Sequence, residues 1–197
     1  MRTPSYVFRL TVAGLGLALA ATTASAQSFA VGAQEVQVHG TFQQGFVFSD
    51  ANNFLTMDTA SGSAAMTDGA FNLSTQFGRK LRVGGQVYTR NIGELGNGQV
   101  QLDWAFADFR FNEKIGIRGG KVKTPLGLLN DTQDMEFLYT WAVLPQSVYP
   151  LDLRSVTIAH IGADAYGTLK TKKAGSVDYV VYAGGIQDDT RGGRSEE

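Results

Sequence analysis

The chain of 197 residues has no cysteine, only two histidines and four prolines, and no run of lysine or arginine. Without cysteine there is no disulfide framework, no thiol nucleophile and no thiolate-ligated zinc. The two histidines, His39 and His160, stand far apart in the sequence, so an all-protein transition-metal site lacks its usual donors and no cofactor is indicated. Charge is scarce: Asp, Glu, Lys and Arg make up 18% of the chain, against about 25% in ordinary domains. With 17 basic against 18 acidic residues there is no long-range field to recruit nucleic acid. Long apolar runs are missing too, because residues 10–21 fall short of the roughly 20 that a spanning helix needs and no later stretch comes closer. What the chain does have is 24 glycines and 11% aromatics, a composition that suits β structure and argues against disorder.

The N-terminus reads as a secretory signal peptide over residues 1–26. Arg2 and Arg9 precede the acid-free apolar stretch 10–21, and Ala24, Ser25 and Ala26 form a small-x-small cleavage site before Gln27. An exported chain without an apolar helix can enter a membrane only as a closed β-barrel.

Residues 27–197 are dominated by alternation of period two. Over 36–48 the even positions Val36, Val38, Phe42, Phe46 and Phe48 are apolar, whereas Gln37, His39, Thr41 and Gln43 are polar. Over 67–77, Phe71, Leu73, Thr75 and Phe77 oppose Asp68, Asn72, Ser74 and Gln76. After a turn at Gly78, Arg79 and Lys80, Leu81, Val83, Gly85 and Val87 oppose Arg82, Gln86, Tyr88 and Arg90. These read as a strand followed by a hairpin. The same pattern recurs at 115–122, 161–170 and 177–183, each with one apolar and one polar stripe.

The segment 99–111 breaks the rule. Val100, Leu102, Trp104 and Phe106 are apolar at even positions, but Asp108 and Arg110 are even as well, and Phe109 and Phe111 are odd. Either a bulge switches the faces near Phe106, or Trp104 and Phe106 point to the polar side. Seven strands are therefore expected. Their connections alternate between short turns and longer loops, the longest over 124–160. Segments of about ten alternating residues, with short turns on one rim and long loops on the other, are the pattern of an outer-membrane β-barrel.

Particular residues carry a resemblance. Leu81, Arg82, Val83, Gly84, Gly85 and Gln86, then Leu102, Asp103, Trp104 and Ala105, then Gly116 through Gly127 with its Gly-Lys-Val-Lys-Thr-Pro core, and finally Leu144, Pro145, Gln146, Ser147, Val148 and Tyr149 resemble Gram-negative outer-membrane porins. The similarity is to phosphate-type and dicarboxylate-type porins and is distant. It implies a homotrimer of barrels of about sixteen strands in outer-membrane lipid, passing small hydrophilic solutes or ions by passive diffusion. Seven strands in a chain of this length amount to half such a barrel, so residues 27–197 are expected to be the N-terminal part of one. The resemblance also implies that the long third loop, 124–160, folds inward as the constriction. Alternation places Arg82, Arg90 and Arg118 in the lumen, with Arg110 if its segment faces as its end suggests and Lys123 at the rim. Asp131, Asp134 and Glu136 then line the loop opposite.

Other chemistries fit less well. Gly119, Gly120 and Lys121 do not complete a phosphate-binding loop, since Ile115 and Val122 stand where a glycine and a hydroxyl residue are needed. Asp131, Asp134 and Glu136 lack the spacing and glycine of a helix-loop-helix calcium site. No Gly-x-Ser-x-Gly elbow accompanies His160 and Asp164, and no enzymatic site stands out. Two other readings remain at this level. One is a small non-channel barrel that anchors or adheres, which needs an eighth strand after Gly185. The other is a soluble periplasmic β-protein that binds a ligand, with the aromatic stripes as its core.

Overall fold

The computed structural model describes residues 27–133, 140–141, 143–171 and 175–186. Residues 1–26, expected to be a signal peptide, and Asp134 and Glu136 lie outside them. Alternating stripes of β-branched and aromatic side chains fold into one antiparallel sheet of eight strands: β1 (Gln27–Val31), β2 (Gln34–Val47), β3 (Ser63–Phe77), β4 (Leu81–Ile92), β5 (Val100–Arg110), β6 (Gly116–Lys123), β7 (Ala159–Thr171) and β8 (Gly175–Gly185). Each strand pairs with its neighbours in sequence, in the order β1 to β8. The sheet is not closed, because β1 and β8 pair on one side only. Among the described residues, helix is confined to a 3-10 turn at Asn130–Thr132 and one turn, α1 (Arg154–Thr157). No helix among the described residues is long and apolar enough to cross a membrane.

The expected count of seven strands is corrected to eight. The additional strand lies before the first expected one; residues 187–197, where the small-barrel reading needed an eighth strand, lie outside the described residues. Five residues are too few to display a period of two, which is why β1 escapes a reading by alternation. Its turn, however, has a chemical signature. Gly32 takes φ +63 between Val31 and Gln34, as the first central residue of a two-residue hairpin loop of type II′ does.

The turns β1–β2, β3–β4, β5–β6 and β7–β8 are short and share one rim. The other rim carries the three longer connections, 48–62, 93–99 and 124–158. The apolar core collects at that rim instead of under the sheet. Met57, Ile92 and Leu95 are buried there, and Phe54, Leu55 and Leu151 pack on them, so all three long connections contribute. Thr59, also buried, receives the amide of Phe54 at 2.8 Å and lies 2.8 Å from the Ser49 hydroxyl.

The register sorts side chains into rows across the strands. Phe77, Leu81, Phe109, Ile117, Ala165 and Val181 pair successively from β3 to β8 and form an apolar row. One residue along each strand, Gln76, Arg82, Asp108, Arg118, Asp164 and Tyr182 pair successively in the same way. Because consecutive residues of a strand point to opposite faces, the second row lies on the other side of the sheet. The sheet thus has one apolar and one polar face.

Candidate functional site

The polar face is continuous only because β5 contains a bulge. Gln86 pairs with Trp104 and Val87 with Leu102, which leaves Asp103 as an extra residue. Val100 and Leu102 therefore stay on the apolar face, exposed, while Trp104, Phe106, Asp108 and Arg110 fall on the polar one. Both alternatives read from the sequence hold in part: a bulge switches the faces, and Trp104 and Phe106 point to the polar side. The switch lies at Asp103, ahead of Trp104, not near Phe106.

Toward the short-turn rim the polar face is a ladder of alternating charge. Asp108 stands between Arg82 and Arg118 in register, and Asp164 stands beyond Arg118. Aromatic rings separate the guanidinium groups. Arg82 and Arg118 lie 5.9 and 5.2 Å from the Phe106 ring, and Arg118 and Arg110 lie 5.1 and 5.9 Å from Tyr166. These are cation–π distances, and they hold the guanidinium planes apart without neutralising them. Tyr166 donates its hydroxyl to Asp108 at 2.6 Å. Its ring covers Gly116, where an added Cβ would come within 2.5 Å of the ring.

Toward the long-loop rim the polar face is occupied by the segment 124–158. Arg154 of α1 is buried and grips the bulge carboxylate with two hydrogen bonds, 2.6 Å to Asp103 Oδ1 and 3.1 Å to Oδ2. Gln86 donates to the same carboxylate at 2.9 Å and accepts from Asn72 at 3.2 Å. The Arg154 guanidinium also lies 4.0 Å from the centre of the Tyr88 ring. Arg90, buried as well, donates to the Leu151 carbonyl. At the start of the segment, Asn130 donates to the carbonyls of Thr124 and Ile158, at 2.5 and 3.1 Å, and Lys123 donates to the carbonyl of Asp131 at 2.7 Å. Trp104, Ile158 and Ala159 form a small buried cluster beneath it. His160 Nε2 lies 2.9 Å from Asp164 Oδ1, both buried, without the alignment of a hydrogen bond. A two-pronged Arg–carboxylate contact is among the strongest a side chain can make. Removing one partner of such a buried pair costs about 3 to 5 kcal/mol, because the other charge is left uncompensated.

The residues singled out from the sequence fall into these two zones. Arg82, Arg110 and Arg118 belong to the ladder. Arg90 lies beneath the loop, and Lys123, whose ammonium is 5.8 Å from the centre of the Trp104 ring, holds the loop's first turn. Asp131 is exposed within the 3-10 turn, and the structure describes nothing of Asp134 or Glu136. Gly119 and Gly120 lie inside β6. Sequence reasoning missed Arg154, Asn130 and the role of Asp103. Arg154 lies in a connection where alternation has no meaning. Asp103 could have been suspected, since it is the acid at the break in phase. No group of three or more His, Asp and Glu suited to a metal ion occurs among the described residues.

Comparison with protein-family models, with curated proteins and with solved structures gave no match. The functional reading therefore rests on the geometry of the two faces.

Proposed function

We propose that this chain builds the wall of an outer-membrane porin, with the polar face lining a water-filled lumen and the apolar face meeting lipid. The observation that carries this reading is inverted polarity. Gln86, Arg90, Asp103, Arg154, His160 and Asp164 are buried, while Phe42, Phe46, Phe71, Leu73, Ile117 and Val181 are exposed. A soluble sheet gains stability by doing the reverse, since every buried apolar side chain is worth about 1.5 to 3 kcal/mol. Contiguous exposed apolar surface on this scale marks an interaction surface, and hydrocarbon is a solvent for it. Strands β3, β4, β5, β7 and β8 have 11 to 15 residues, enough for tilted spanning strands, which need about 9 to 11. Phe77, Phe109 and Phe111 near one rim and Phe42, Phe46 and Phe48 toward the other are placed as interfacial girdles are.

In lipid the unpaired edges of β1 and β8 are not tolerable, so both must be paired and the barrel closed, by further strands or by one another. The porin resemblance supplies a count of about sixteen strands, a homotrimer and passive diffusion of small hydrophilic solutes or ions. Eight strands also match the smallest bacterial barrels, which anchor without conducting. Against that reading, an eight-stranded barrel leaves room inside only for side chains, and here described parts of the connection 124–158 rest on the polar face through Arg154 and Leu151.

The test is to express the full-length protein with its leader, fractionate the cells, and reconstitute the membrane fraction in planar bilayers. Heat-modifiable gel mobility with discrete ohmic current steps is expected. Recovery in the periplasmic extract would rule out the barrel, and a heat-modifiable but non-conducting protein would favour the anchor.

A further inference from the structure

We propose that Asp103 and Arg154 form a latch that fixes the segment 124–158 on the lumen wall and thereby sets the width of the pore. The proposal rests on the porin reading. The sheet itself has no need of Asp103. If this residue were absent, Leu102 would be followed directly by Trp104, and the two faces would alternate without a break from Val100 to Arg110. What the extra residue adds is a buried carboxylate on the polar face, re-aimed by the bulge.

That carboxylate is held ready for a partner from the loop. Gln86 fixes one oxygen and is itself fixed by Asn72, so the acceptor is oriented by two side chains of the wall. Arg154, 51 residues on, takes both oxygens, and Tyr88 lies against its guanidinium. Arg90 holds the loop backbone three residues away, at the Leu151 carbonyl. At the loop's other end, Tyr149 accepts from the amide of Leu129 at 2.8 Å, and Asn130 bonds the two ends together. The segment is thus tied to itself at its root and tied to the wall at Arg154. Asp103 and Arg154 are positioning residues, since they act on permeation only through where they hold the loop.

The experiment compares the full-length protein with variants that lack Asp103, or carry Arg154→Gln or Arg154→Lys, in planar bilayers. A Ser147→Cys spin label on the loop, in a protein whose other cysteines, none of them in these 197 residues, are replaced by Ser, reports loop mobility in each. Deletion of Asp103 leaves the strand phase intact, so the barrel is expected to assemble and stay heat-modifiable. The time spent in altered conductance levels should rise on the order of tenfold in the deletion and in Arg154→Gln, as expected when a buried pair loses one partner. The Ser147 label should become mobile in both. Arg154→Lys, with one ammonium in place of the fork, should fall between them and the parent. Parent-like conductance levels and an immobile label in assembled deletion or Arg154→Gln protein would overturn the latch. So would failure of both the deletion and Arg154→Lys to assemble, which would make the pair a requirement for folding. If the parent does not conduct at all, the porin reading fails, while the spin label still decides whether the pair holds the loop.

Discussion

Ile117 and Arg118 are neighbours in β6, yet they belong to opposite chemistries. Ile117 continues the apolar row from Phe109 to Ala165, and Arg118 the charged row from Asp108 to Asp164. On one face the side chains are large, apolar and exposed. On the other they are charged and aromatic, with part of the face in contact with a loop through Arg154 and Leu151. The contrast teaches where this fold takes its stability. The apolar face gains little from its own packing and depends on the medium it meets. The polar face draws on interactions within the chain, foremost the Arg154–Asp103 pair that anchors the loop.

The contrast breaks most sharply if charge is moved across it. Val87→Arg, at the middle of β4 on the apolar face, should destabilise the assembled barrel by about 2 to 4 kcal/mol, the cost of a cation at the bilayer midplane, and Arg118→Ile by much less. Urea midpoints in lipid vesicles measure both, and equal losses would mean that the apolar face does not meet lipid. A smaller effect separates two glycines of the same strand. Gly116→Ala drives a methyl group into the Tyr166 ring and should cost about 1 to 3 kcal/mol by overpacking. Gly119→Ala, on the apolar face with its nearest neighbour at 3.8 Å, should stay within about 0.5 kcal/mol. Identical midpoints for the two variants would show that the polar face is not tightly packed there.

Tyr166→Phe removes only the hydrogen bond to Asp108. Its cost should be about 1 kcal/mol, a modest value because Arg82 and Arg118 still flank the carboxylate. No change in the midpoint would mean that water replaces the hydroxyl freely, as in a wide lumen. The smallest effect is expected at the short-turn rim. The Lys170 ammonium donates to Glu113 at 2.6 Å and holds its carboxyl below the ordinary glutamate value. A lowered folded-state pKa contributes stability that is present above the unfolded value, about 4.3, and is lost as pH falls through the folded one. Glu113→Gln should therefore flatten this acidic limb by removing the pair's small contribution at neutral pH, and leave stability below the folded-state pKa unchanged. A shift at pH 7 as large as that of Tyr166→Phe would contradict the surface character of the pair.

Much of this architecture was legible because a pleated strand writes its two faces into alternate residues. Phe71, Leu73 and Phe77 against Asn72, Ser74 and Gln76 already separate the faces of β3, and short turns such as Gly78 to Lys80 announce the hairpins. Legibility ended where periodicity does. β1 was too short to repeat, and residues 100–110 revealed a change of phase without revealing which residue was the extra one. That depends on the spacing of the partner strand, Gln86 and Val87, which the segment's own sequence does not contain. The loop contacts were beyond reach for a further reason: Arg154 and Asp103 meet across 51 residues, and no local pattern ties them.

The sequence by itself determined the class of structure and the chemistry of each face, because side-chain alternation is a property of the backbone and needs no knowledge of neighbours. Only the tertiary structure decided which charges stand side by side in the ladder, that Asp103 is the residue pushed out of register, and that Arg90 lies beneath a loop while Arg118 lies in the open row. Those outcomes follow from strand register and from the docking of 124–158, which are set by contacts between residues distant in the chain.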